Sequence, residues 1–99
     1  MPQDPLSVFD RIDPDFLQNV NNTRDLALSD GALPKKFKLL IAMSLDAAAG
    51  TIDGVKSLAQ AALAAGATKE EIAETLRVTQ YISGVGSTYV AARALAELF

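Results

Sequence analysis

Apolar residues along this chain fall at three- and four-residue spacings between short polar breaks, and the whole of it reads as helix. Asp4-Pro5 and Asp13-Pro14 each have the form of an N-cap followed by proline in the first helical position. The second pair predicts a helix to about Leu28, with Phe16, Leu17, Val20, Leu26 and Leu28 as its apolar face, before Ser29-Asp30-Gly31 interrupts the pattern. Pro34 starts a third helix that runs to about Ala49 and stops at Gly50. Its centre, Leu39-Leu40-Ile41-Ala42-Met43, is apolar on every side, and such a helix is expected to be buried on every side. A 99-residue chain has few places to hide it, which points to an oligomer. A fourth helix spans about Thr51 to Ala65, and its run of alanines permits close approach of a neighbour. Gly66 ends it. Thr68-Lys69-Glu70-Glu71 is a capping box that opens a fifth helix to about Ile82, with Ile72, Leu76 and Thr79 inward. Ser83-Gly84-Val85-Gly86 is then a turn, and a final helix carries Val90, Ala91, Ala94, Leu95 and Leu98.

Composition narrows the chemistry. The net charge of −3 lacks the clustered basic stripe of a nucleic-acid surface. The one basic cluster, Lys35-Lys36-Lys38, sits at a helix start, where cations oppose the helix dipole, and reads as a solvated first turn or a contact with a partner's acids. No apolar run approaches the ~20 residues of a membrane span. MPQDPLSVFDR has no basic segment followed by an apolar one, so a cytoplasmic location is expected. The chain has no cysteine, which removes disulfides, thiol peroxidase chemistry and thiolate metal sites. It has no histidine either, so the usual general base and the commonest metal ligand are missing. No metal or cofactor is expected. Gly84-Val85-Gly86 lacks the preceding strand and third glycine of a nucleotide loop.

Three segments, DGALPKKFKLL, AMSLDAAAG and AQAALAAGATKEEIAETL, lie in one register without a gap. From Asp30 to about Leu95 the chain resembles the carboxymuconolactone decarboxylase family, which includes the alkylhydroperoxidase D-like proteins. Tyr81-Ile82-Ser83-Gly84-Val85 also fits that family's aromatic-then-glycine turn. The resemblance implies an all-α fold of about six helices around a central helical hairpin, assembled into a homo-oligomer: a dimer, trimer or hexamer. It divides the chain into an N-terminal helical arm, residues 1–29, and a core, residues 30–99. In the peroxidase branch a Cys-x-x-Cys pair, a histidine and a glutamate form a proton relay. The matching positions here are Thr51, Gly54, Leu58 and Leu39, so the relay is absent. Positions 51, 54 and 58 share one helical face, and the helix start would favour a thiolate there. In this chain that face offers a hydroxyl, a glycine and a leucine.

Leucine at both 39 and 58 reads as a plugged core; the alternative is an apolar ligand pocket lined by Leu39, Met43 and Leu58. Asp46 shares the stripe of Leu39 and Met43 near a helix C-terminus, where a carboxylate is misplaced, and is the one candidate for a retained functional acid. Its bland reading is an exposed acid paired with Lys56 or a neighbouring subunit. Asp53 and Thr51 are explained by the helix start alone. Lys56, Ser57 and Gln60 read as a wet face, Tyr81 and Tyr89 as core rings with a wet hydroxyl, and Arg93 and Glu97 as a surface pair. Three functions follow: a non-catalytic scaffold, a binder of a small apolar or carboxylated molecule, and a cysteine-free lyase acting on a small carboxylated substrate. The lyase resemblance places a basic residue at Lys38. It would need Lys38, Lys56, Arg77 or Arg93 to hold the carboxylate and Tyr81 to deliver the proton. The candidate pocket is therefore Lys38, Met43, Asp46 and Tyr81.

Overall fold

In the computed structural model, which describes residues 4–99, both Asp-Pro pairs cap as expected. Asp4 accepts from the Leu6 N–H (3.0 Å) and opens a 3-10 turn, Pro5–Val8. Asp13 accepts from the Phe16 N–H (3.1 Å) and opens α2, Pro14–Leu28, after the short α1, Phe9–Ile12. The remaining elements are α3 (Lys35–Ala49), α4 (Ile52–Ala64), α5 (Lys69–Ser83) and α6 (Val85–Leu95).

Two glycines set the hairpins. Gly50 and Gly66 both adopt positive φ, 85° and 100°, which costs glycine little and other residues much. Around each, the same pair of bonds closes the helix end. The Thr51 N–H reaches the Asp46 carbonyl (2.9 Å) and the Gly50 N–H the Ala47 carbonyl (3.3 Å). The Ala67 N–H reaches the Ala62 carbonyl (2.9 Å) and the Gly66 N–H the Leu63 carbonyl (3.0 Å). Both are Schellman ends, and they satisfy carbonyls that would otherwise be orphaned.

The α3–α4 hairpin is the centre of the molecule and makes its most extensive helix contact. Leu39, Leu40, Met43 and Ala47 from α3 meet Val55, Ala59 and Ala62 from α4, while Ile72 closes the core from α5 and Ala91 and Ala94 from α6. Ile72 and Thr79 are buried and Leu76 half-buried, the stripe expected of α5. The capping box is complete: Thr68 Oγ1 accepts from the Glu71 N–H (3.0 Å), and Glu71 Oε1 accepts from the Thr68 N–H (2.9 Å).

Five local expectations change, the first being the apolar face of α2, where Phe16 and Leu26 are exposed and only Leu28 packs against the core. The Ser83–Gly86 turn contracts to Gly84 alone, because the Gly84 N–H bonds the Gln80 carbonyl (2.8 Å) and Ser87 Oγ bonds the Gly84 carbonyl (2.7 Å). Glu97 pairs with Lys56 at 2.7 Å rather than with Arg93, because α6 ends at Leu95 and Glu97 leaves the helical register. Tyr81 and Tyr89 are exposed and not core. Most consequentially, α3 is not buried all round: Phe37, Ile41 and Leu45 face outward, since α4, α5 and α6 cover only one side of it.

Two of the three lysines at the start of α3, Lys36 and Lys38, have local side-chain partners, and Asp30 caps the Lys35 backbone. Asp30 Oδ1 accepts from the Lys35 N–H (2.6 Å), Lys38 Nζ donates to the Ser29 carbonyl (2.7 Å), and Lys36 Nζ meets Glu71 Oε2 at 3.1 Å. The Thr68 backbone N–H, and after it Lys36, hold the Glu71 carboxyl below its ordinary value. A carboxylate lowered in the folded state stabilises above its unfolded pKa, and that contribution fades as pH falls through the folded one. Glu71→Gln should therefore melt below wild type at pH 7. The gap between the two melting temperatures should narrow as the pH falls past the ordinary value of 4.5. A gap that stays constant down to pH 2–3 would remove Glu71 from the pH response.

Candidate functional site

The turn from α3 into α4 brings together three of the positions singled out from sequence. Asp46 lies in the last turn of α3, where its own helix dipole disfavours a carboxylate. The Gly50 turn folds α4 back so that the Asp46 side chain rests on the first turn of the next helix, beside Gly54 and Thr51. There the dipole has the opposite sign and favours the charge. Thr51 occupies the N-cap position but makes no side-chain cap bond. The carboxylate of Asp46 thus stands over a helix start that lacks a hydroxyl cap.

Gly54 is what permits this. A Cβ at position 54 would lie 2.8 Å from Asp46 Cγ, with Oδ2 closer still, and 3.1 Å from Thr51 Cγ2. The carboxylate occupies the space into which a side chain at 54 would project.

Leu39 is only 3% exposed, in one cluster with the fully buried Met43 and Val55, and Leu58 packs against that cluster. Burying a leucine contributes roughly 1.5–3 kcal/mol, so these positions hold the hairpin together. The four pocket candidates take separate places. Lys38 bonds the Ser29 carbonyl at the α2 side of α3, Met43 is inside the core, and Asp46 is at the opposite end of α3. Tyr81 is 87% exposed on α5. Lys38 and Asp46 are two turns apart, a rise of roughly 12 Å. Among the described residues no group of three or more His, Cys, Asp or Glu side chains gathers as a metal site, and no helix is long and apolar enough to cross a membrane.

Two cavities flank α3. One, of about 460 Å³, is lined by Arg24, Asp25, Leu28, Lys35, Leu39 and Ala61. The other, of about 560 Å³, is an apolar groove between α3 and α5, walled by Leu33, Phe37, Ile41, Leu45, Val78 and Ile82. None of Lys38, Met43, Asp46 and Tyr81 lines either one.

The sequence profile of the carboxymuconolactone decarboxylase family matches residues 14–97. The chain belongs to that family. Its fold also matches the crystal structure, in the apo form, of a carboxymuconolactone decarboxylase family protein from Legionella pneumophila. The TM-score is 0.86 at 35% identity, over 92% of this chain and 81% of that one. No curated protein matches. This carboxymuconolactone decarboxylase family member has a degenerate active site, without cysteine or histidine. The match begins at Pro14 and so takes in α2.

Sequence reasoning missed the contact between Asp46 and Gly54, although a signal for it existed. Glycine inside a helix costs about 0.5–1 kcal/mol relative to alanine, and its presence points to a close approach. Gly54→Ala is expected to recover that 0.5–1 kcal/mol only in an Asp46→Ala background. With Asp46 present, the carboxylate must swing off the α4 start, and the gain disappears. Chemical denaturation of the two single variants and the double variant measures the coupling. Equal stabilisation in both backgrounds would mean that the contact has no energetic weight.

Proposed function

We propose that this carboxymuconolactone decarboxylase family member is a non-catalytic homo-oligomer whose relay positions have become structural core. The observation that carries the proposal is the burial of Leu39 with Met43 and Val55, with Leu58 packed against them. Where the peroxidase branch keeps a glutamate and a histidine, these leucines add apolar burial. The exposed apolar wall of α3 and α5 supports assembly: Phe37, Ile41, Leu45, Val78 and Ile82 form a contiguous groove of a kind that soluble monomers seldom leave open. The subunit number is taken from dimer, trimer or hexamer.

That same groove favours a second reading, a binder of a small apolar molecule, because its walls are almost entirely carbon. The lyase reading requires a cation and a proton donor to converge on one substrate. Lys38 Nζ is engaged by the Ser29 carbonyl, and Tyr81 projects from the far side of α5 from the core.

Native mass spectrometry of the gently purified protein tests both readings together. The expected result is one defined oligomer with no additional mass. An oligomer carrying a stoichiometric small molecule would favour the binder, and a clean monomer would overturn assembly. A gain-of-function series tests the core reading from the other side. The combined changes Thr51→Cys, Gly54→Cys, Leu58→His and Leu39→Glu should give thiol peroxidase activity only when Asp46→Ala is added. Otherwise the Asp46 carboxylate crowds position 54 and, as a like charge, disfavours the thiolate. Activity at full strength with Asp46 retained would show that it does not occupy that space in solution.

A further inference from the structure

The arm raises a problem that the groove can solve. Between Asp4 and Leu28 no residue is buried, although the segment carries Val8, Ile12, Phe16 and Leu26, all exposed large apolar side chains. Val8, Ile12 and Phe16 belong in turn to the 3-10 turn, α1 and α2, with the non-helical Asp13 between the last two, and Phe16 meets the Phe9 ring edge-on at 5.2 Å while staying half exposed. Building on the oligomer proposed above, we infer that the arm of one copy seats its exposed Val8, Ile12 and Phe16 side chains in the α3–α5 groove of a neighbouring copy.

The arm cannot fill its own groove while α2 keeps its anchorage. Leu28 packs against the core, the Ser29 carbonyl accepts from Lys38 Nζ, and Lys35 and Leu39 face the α2 side. Phe37 and Ile41 come two residues after Lys35 and Leu39, about 200° further round the helix. The groove therefore opens on nearly the opposite side of α3 from the arm's own attachment, and an occupant of this kind comes from another copy.

Charge selects between the ways two copies can meet. In the arm, Asp4, Asp10, Asp13, Asp15 and Asp25 face only Arg11 and Arg24, so this segment carries the whole net charge of −3 and the rest of the chain is neutral. Pairing arm with arm would set Asp10, Asp13 and Asp15 against their own copies. Seating the arm on the groove sets them against a neutral body. Its groove edge holds Lys36 paired with Glu71 at 3.1 Å, and Glu74, while the exposed Arg77 adjoins Val78 in sequence, so these four charges cancel. Arg77 has no ion pair among the described residues, and Glu71 and Glu74 are the acids on that edge. An arm-into-groove contact joins two different patches, so each copy gives one arm and receives one.

The absence of native cysteine makes the test clean. Phe16→Cys and Ile41→Cys are made in separate full-length chains, both at exposed positions, mixed, and treated with a short bis-maleimide. The expected product is a dimer joined between positions 16 and 41, mapped by peptide mass spectrometry. A product joined only 41 to 41 would show groove meeting groove and overturn the inference while leaving the oligomer intact. No joined product from a mixture that native mass spectrometry shows to be oligomeric would overturn it equally. A monomeric wild-type chain would remove both proposals. As a check independent of crosslinking, Phe16→Asp and Ile41→Asp should each dissociate the same assembly; dissociation by Ile41→Asp alone would place the arm elsewhere.

Discussion

Everything in this molecule depends on how closely α3 can approach α4. The approach is set by side-chain size: Ala47 from one helix, Ala59 and Ala62 from the other, all essentially inaccessible to water. Small residues at the contact let the larger Met43, Val55 and Leu39 interlock around it, and core packing at this density has little tolerance for added or missing volume. The Gly50 turn holds the two helices in this register by closing the α3 end within two residues. α5 and α6 pack against the surface this hairpin presents. Ile72 and Ala91 complete the core without altering its centre.

That geometry leaves α3 with two distinct sides. Towards α4 it is a packed core element. Away from it, Phe37, Ile41 and Leu45 form a wall that the single chain does not cover. A small chain has too little mass to enclose a helix that is apolar all round, and the exposed wall is the remainder. This uncovered wall is what the proposed assembly rests on.

The helices were legible because their boundaries are written in local chemistry. Asp13 before Pro14, Thr68 three residues before Glu71, and Gly50 and Gly66 after their helices act within a few residues of themselves. The contents of the core were legible for α5, where Ile72 and Thr79 recur on one stripe, and less so for α2. The apolar residues of α2 promised a packed face, but Phe16 and Leu26 stand in water. Periodicity shows that a face exists and not what lies opposite it. The site was hardest to read, because its main contact joins Asp46 to Gly54 across a turn, and neither residue announces the other. Asp46 looked misplaced when judged against its own helix. Its partner dipole belongs to the next one.

The Asp46–Gly54 contact also constrains how this chain could change. Gly54 cannot be exchanged freely while Asp46 keeps its seat: a larger side chain at 54 meets the carboxylate, whereas shortening Asp46 frees the position. The two positions therefore form an epistatic pair. Any route to a larger residue at 54 runs through a chain in which position 46 or the rotamer of its side chain yields first. Mutational drift that places a side chain at 54 first meets a local penalty. The order of change is thus a steric ratchet whose pawl is one carboxylate.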